Sequence, residues 1–253
     1  MLTAFGYWMR RYRRVWRGTV VISLVNPLIF LLGLGVGLGH LIGQHAGSHV
    51  IPGSYAAFFA PGLLAASSMQ TAYIESSSPV MSAAGHDGAY RCATPSPLRT
   101  SQILHGHLLF IAFRIVSSNA AFVAVLAASG ICRTWWALWL FAASTLVGLA
   151  FAAPVAAWAV RARRVESVDS VARFVIMPMY MFGGTFFATS ALPGWLRPVV
   201  EITPLANGTA LCRSLAAGEA PLAQTVLHVC VLLALAIGGL LVARHTYVRR
   251  LRP

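Results

Sequence analysis

Residues 135–160 read WWALWLFAASTLVGLAFAAPVAAWAV, twenty-six positions without one charged side chain. A helix of about 20 apolar residues crosses a hydrocarbon core of roughly 30 Å, so this stretch predicts a membrane-spanning helix at Trp135–Val160. Five further apolar runs flank it and predict spans at Thr19–Leu41, Tyr55–Ile74, Leu104–Ile131, Val171–Phe187 and Leu222–Ala243. The expected fold class is all-α: a polytopic membrane protein with six transmembrane helices, residues 1–253 forming a single transmembrane domain. Composition agrees, since the chain is 58% hydrophobic and only 10% charged. A soluble domain carries roughly a quarter charged residues, so this chain lacks the polar surface to face water all round.

Before the first span lies MLTAFGYWMRRYRRVWR, residues 1–17. At about 100° per residue, Phe5, Trp8, Tyr12 and Trp16 share one arc with Leu2, Met9 and Val15. Arg10, Arg11, Arg13, Arg14 and Arg17 fill the opposite arc. That segregation predicts an amphipathic interfacial helix, apolar arc toward acyl chains and arginines toward anionic headgroups. A cleavable signal does not fit, because the next apolar run is too long and more spans follow.

With the N-terminus inside, fourteen arginines fall in inner segments and three, Arg133, Arg197 and Arg213, in outer ones. Arg114 and Arg173 sit within spans near their inner ends, where long side chains can snorkel. The positive-inside rule then places both termini in the cytoplasm and the chain in the inner membrane. It also accounts for the net charge of +13 without a nucleic-acid partner.

All nineteen basic residues are Arg; there is no Lys. A phosphate-binding P-loop needs its Lys, so ATP chemistry of that kind belongs to another chain. Cys92, Cys132, Cys212 and Cys230 show no metal-ligand spacing, and no metal site is expected. Cys132 and Cys212 both fall on the outer side, as a disulfide or as two inert thiols. The glycines at 33, 35, 37 and 39 lie inside an apolar span, where they suit close helix packing and not a dinucleotide loop.

The second half of the second span is polar: Ser67, Ser68, Gln70, Thr71 and then Glu75-Ser76-Ser77-Ser78. An intramembrane carboxylate is costly and marks function or a buried pair. Glu75 is thus either paired with an Arg such as Arg114 or lines a pathway. Residues 83–102 form the longest inner loop, with Thr94-Pro95-Ser96-Pro97-Leu98-Arg99 suited to start a short helix. The fifth span carries Pro178, runs into Gly183-Gly184, and is followed by a semi-apolar stretch with Pro193, Pro198 and Pro204. Residues 188–220 therefore read as a re-entrant outer-leaflet segment.

Ala60-Pro61-Gly62-Leu63, Met69-Gln70-Thr71-Ala72 and Glu75-Ser76-Ser77 resemble the second span of the ABC-2-type exporter permeases. The nearest branch is that of nodulation lipo-oligosaccharide and drug exporters. Tyr90, Ser96-Pro97-Leu98-Arg99 and Gly106-His107-Leu108 resemble its coupling loop. Phe182-Gly183-Gly184-Thr185-Phe186-Phe187 with Ala191-Leu192-Pro193-Gly194-Trp195-Leu196 resembles its fifth-span signature. Pro95-Ser96, Gly183 and Ala188 depart from the usual residues there.

The resemblance implies a half-transporter that is not itself an enzyme. It pairs with a second permease chain, itself or a paralogue, and with two copies of an ABC ATP-binding subunit that hold ATP and Mg, leaving no cofactor in this chain. The cargo would be amphipathic: a drug, a lipid or a lipid-linked saccharide. The interfacial helix (Phe5, Trp8, Arg10, Arg11, Tyr12, Arg14, Trp16) and the coupling residues Tyr90, Arg91, Ser96, Pro97, Leu98 and Arg99 would contact the ATPase. Glu75, Gly183, Gly184, Thr185, Phe186 and Phe187 are the pathway or gate candidates. The alternatives are an integral-membrane enzyme or assembly factor of lipid metabolism, for which no acid/His constellation is visible, and a proton-coupled carrier, which lacks acid relays.

Overall fold

A computed structural model describes residues 2–30, 33, 55–85, 88–90, 100–128, 134–218 and 220–251. Among them every regular element is helical: α1 (Leu2–Phe30), α2 (Tyr55–Ser76), α3 (Ser78–Ala84), α4 (Thr100–Ala128), α5 (Thr134–Ala159), α6 (Val165–Val171), α7 (Met177–Phe182), α8 (Arg197–Glu201), α9 (Pro204–Ala217) and α10 (Leu222–Leu251). A π turn (Ala172–Ile176) joins α6 to α7, and a 3₁₀ turn (Thr189–Ala191) precedes α8.

Three of these are long and apolar enough to cross a membrane: Ser101–Ala128, Trp135–Ala159 and Leu222–Arg250. The helix that decided the fold, α5, lies at the centre and packs against α2, α4, α9 and α10. Its small residues explain this, because alanines and glycines let helix axes approach closely. A Cβ at Gly148 would lie 2.6 Å from both Ser68 Oγ and the Ile115 side chain. By contrast α10, equally apolar, has only 11% of its most apolar window buried, against 67% for α5.

α2 is as long as a span but polar in its second half. Ser67, Ser68 and Thr71 are buried because α2 packs against α4, α5 and α9. The Ser68 hydroxyl donates to the Ser144 carbonyl (2.7 Å) and accepts from the Asn119 amide (3.0 Å). Ser68 thus ties α2 to α4 and α5, while the Ser67 hydroxyl donates to the Leu64 carbonyl within its own helix. Ser77 interrupts the helix and Pro79 restarts it as α3, since proline cannot continue the preceding hydrogen-bond ladder.

Two sequence expectations change shape. The interfacial segment and the start of the first span form one unbroken helix, Leu2–Phe30, through Gly18; the rest of that span apart from Gly33, including Gly35, Gly37 and Gly39, lies outside the described residues. The fifth span is not a continuous helix to Phe187. Pro178 has no N–H for the i−4 carbonyl; the ladder widens into the π turn ahead of it, and α7 ends at Gly183. Within residues 188–220, α9 is capped by Thr203, whose hydroxyl accepts from the Ala206 N–H, with Pro204 in the first turn and left-handed Gly218 after the end. Its 14 residues extend about 21 Å, and it packs against α2, α5 and α10.

Candidate functional site

Residues singled out from sequence collect at two opposite ends of α2, whose Phe58 and Glu75 are separated by about 25 Å of helix. At the first end, the apolar arc of α1 packs on α4. Trp8 stacks on His107 (centroids 3.8 Å apart, planes 5° apart), and Phe5 and Tyr12 meet Phe113 edge-on. Trp8 is only 5% exposed, so its ring faces protein, while Phe5 and Tyr12 are partly buried. Arg10, Arg11 and Arg14 are exposed, as the arc predicts, and Trp16 is half-exposed.

Tyr90 closes this cluster. Its hydroxyl is hydrogen-bonded to His107 Nδ1 and lies 3.2 Å from the Tyr247 hydroxyl of α10. Its ring packs on Trp8 and Tyr247. α1, the segment before residue 91, α4 and α10 are therefore joined at one point, with both chain ends at the same end of the bundle. Burial pushes the Tyr90 phenol well above its usual pKa, and Tyr247 adds to the shift, so the hydroxyl stays protonated. At 1% exposure the Tyr90 side chain is enclosed by these helices. Arg91, Ser96, Pro97, Leu98 and Arg99 lie outside the described residues.

About two turns further along α4 from His107, Arg114 Nε donates to Glu75 Oε1 (2.9 Å) and Nη1 donates to the Tyr12 hydroxyl (2.8 Å). The guanidinium also lies 4.7 Å from the Tyr12 ring centroid, a favourable cation–π placement. Of the two readings of Glu75, the pair with Arg114 is the one observed. Arg114 is 1% exposed and does not snorkel; a carboxylate neutralises it in place.

At the second end, Phe182–Phe187 forms a turn held by Arg213 of α9. Arg213 Nη2 donates to the carbonyls of Gly184 and Thr185 (the latter at 3.1 Å), and Nε donates to Phe58 O (3.2 Å). The guanidinium stacks 3.7 Å from the Phe58 centroid. Thr209 donates to Gly183 O (2.8 Å) and Tyr55 to Phe186 O (3.0 Å). Gly184 has φ +83°, a conformation that favours glycine. A Cβ on Gly183 would sit 2.4 Å from Met179 O, and one on Gly62 would sit 2.9 Å from Arg213 Nη2. Phe186 packs between Phe59 and Tyr180.

The structure thus brings Trp8 to Tyr90 and Tyr12 to Glu75, but it separates Glu75 from Gly183–Phe187. The pathway candidates are two sites, not one. Sequence reading missed Arg213, which counted only as an outer charge, and Tyr247, which carried no signal. Asn119 was missed as well, although an Asn in mid-span is itself a cue. Cys212 is a buried free thiol; Cys132 lies outside the described residues.

A family model described as "ABC-2 type transporter" matches residues 4–216. Nodulation protein J of Rhizobium meliloti (strain 1021) is 28% identical over 251 residues, covering 97% of this chain and 93% of that protein. Nodulation protein J of Rhizobium leguminosarum bv. viciae is 27% identical over 255 residues, 99% of this chain and 95% of that protein. Inner membrane transport permease YadH of Escherichia coli (strain K12) is 24% identical over 206 residues, 78% and 75% of the two chains. No solved structure matches.

Proposed function

The chain belongs to the ABC-2 type transporter family, and from that premise we propose that it is the permease subunit of an inner-membrane exporter driven by a separate ATPase. The observation that carries this reading is the family match across residues 4–216, which takes in the Gly184 turn and every member of the Tyr90 cluster except Tyr247. The absence of Lys supports a P-loop supplied by another chain. The cargo is amphipathic, a drug, lipid or lipid-linked saccharide, and it moves outward between two permease chains.

In this reading the chain crosses the membrane six times, through α1, α2, α4, α5, α6–α7 and α10. Both termini and the Tyr90 cluster are cytoplasmic, and α8 and α9 re-enter from the outer face. Two ATP-binding subunits dock on residues 91–99. Their closure on binding ATP pulls that loop, and Tyr90 hands the displacement to α4, α10 and α1 through His107, Tyr247 and Trp8. Tyr90 is a positioning residue, since its side chain is enclosed by the bundle. The Gly184 turn, held by Arg213, closes the outer mouth.

Leu98 and Arg99 test the docking. Burying an apolar anchor contributes about 1.5–3 kcal/mol, whereas an exposed ion pair contributes about 0–1 kcal/mol. Leu98→Asp should therefore leave insertion intact but lose the co-purified ATPase, or uncouple hydrolysis from export, while Arg99→Ala is mild. Full export and full ATPase pull-down in Leu98→Asp would sink the coupling role of this loop.

A further inference from the structure

α5 and α10 touch and then part. A Cβ on Gly239 would come within 2.4 Å of the Pro154 ring, so the helices are in contact there. Around this contact a groove of about 400 Å³ opens, lined by Pro154, Trp158, Leu235, Gly238 and Val242 with Arg161. Sites for small organic ligands begin at about 300 Å³. A Cβ on Gly238 would meet nothing within 4 Å, so the groove owes part of its width to that missing side chain.

Apart from Arg161 every lining residue is apolar. Arg161 is exposed just past the end of α5 and forms no ion pair among the described residues. Arg163, Arg164 and Arg244 are exposed near the same ends of the two helices. The groove opens beside α10, the helix with the least buried apolar surface of the three long ones. An apolar slot on a lipid-facing flank, with an aromatic ring and an unpaired cation at its rim, matches a phospholipid by chemistry. One acyl chain would fit along Gly238 and Leu235, with its phosphate within reach of Arg161. Basic pockets between spans on the cytoplasmic side bind anionic headgroups, and Trp rings favour the interfacial level.

We propose that this groove between α5 and α10 binds one anionic phospholipid of the inner leaflet, held by Arg161 at the headgroup and by the Pro154–Gly238 slot along the chain. The assignment of leaflet rests on the topology proposed above.

The test uses the full chain purified in neutral detergent. Phosphatidylglycerol or phosphatidylcholine is added back, the thermal unfolding midpoint is recorded, and retained lipid is counted by native mass spectrometry. Phosphatidylglycerol should raise the midpoint by several degrees more than phosphatidylcholine. Arg161→Gln should erase that difference, and Arg161→Lys should keep most of it. Gly238→Phe, which fills open space, should reduce retention of either lipid; Gly238→Leu serves if the larger ring impairs folding. Arg197→Gln, at an exposed position on α8 away from the groove, should leave the difference between the two lipids unchanged.

Equal response to both lipids in the wild type, or an unchanged preference in Arg161→Gln, would overturn the proposal. So would an equal shift from inorganic phosphate alone, which would make Arg161 a simple anion site. Loss of dimer in Gly238→Phe would overturn it too, by making the groove an interface between copies. None of these readouts depends on transport or ATPase activity, so failure here leaves the permease reading standing. A topology reporter showing α10 ending outside would instead remove the leaflet assignment while leaving the lipid result.

Discussion

At the end of the bundle that holds Trp8, Tyr90 and Tyr247, four parts of the chain are joined side chain to side chain. At the end that holds Gly184, the joints run from a few side chains, Arg213 foremost, to main-chain carbonyls. The two constructions do different things. Ring stacks and hydroxyl bonds let helices shift against one another while keeping contact, as the displacement proposed above would require. A guanidinium fork on Phe58, Gly184 and Thr185 fixes the shape of one turn whatever side chains the turn carries. A planar guanidinium, with five donors in a fixed fork, is well suited to satisfy carbonyls from two elements at once.

The largest expected effect breaks the ion pair beside the first cluster. Glu75→Ala leaves Arg114 buried and uncompensated, a loss of about 3–5 kcal/mol. The thermal midpoint in detergent should fall steeply, and the double variant Glu75→Gln with Arg114→Met should recover much of it. A mild single variant would show that water reaches this pair.

At the other end, Arg213→Ala takes the side-chain donors from the carbonyls of Gly184 and Thr185, and a loss of about 1–3 kcal/mol is expected. The Gly184 turn should become more accessible, read as faster thiol labelling of a cysteine placed at Phe187. Arg213→Lys should restore part of the protection, because one ammonium cannot span the fork. Wild-type labelling in Arg213→Ala would end the view of this turn as held by that side chain.

Gly184→Ala should be smaller, about 1–2 kcal/mol for a left-handed residue with a Cβ, with the crowding against Thr209 added. The smallest effect on stability is expected from Tyr90→Phe, about 0.5–1.5 kcal/mol, since the ring packing survives. Under the proposed function it should still lower transport per ATP hydrolysed, which a purely structural hydroxyl would not do. If Tyr90→Phe destabilises more than Arg213→Ala, the contrast between the two ends is inverted.

The long apolar helices were legible to within a few residues. Trp135–Val160 is found as Thr134–Ala159, and Leu104–Ile131 as Thr100–Ala128. Leu222–Ala243 runs on to Leu251, because a helix does not stop where hydropathy falls; Arg244, Arg249 and Arg250 extend it beyond the apolar run. In the fifth apolar run, Val171–Phe187, the helix ends at Phe182. Pro178 and Gly183-Gly184 marked an irregular backbone there, but the π turn at Ala172–Ile176 is a matter of ladder geometry, which hydropathy does not register. At the sites, Glu75 and Gly184 stood out by residue type. Their partners, Arg114 and Arg213, could be ranked only once the helices were packed.

Hydropathy, the segregated arcs of α1 and the distribution of arginine are properties of neighbouring residues, so the sequence alone determined an all-helical membrane chain and, through its motifs, the family. Which side chains meet across 29 residues, as Arg213 and Gly184 do, or 157, as Tyr90 and Tyr247 do, depends on how helices rotate and cross when they pack. Only the tertiary structure decided that Phe5, Trp8 and Tyr12 of the aromatic arc pack on α4. The stack on His107 and the ion pair of Arg114 give that arc partners that acyl chains could not supply.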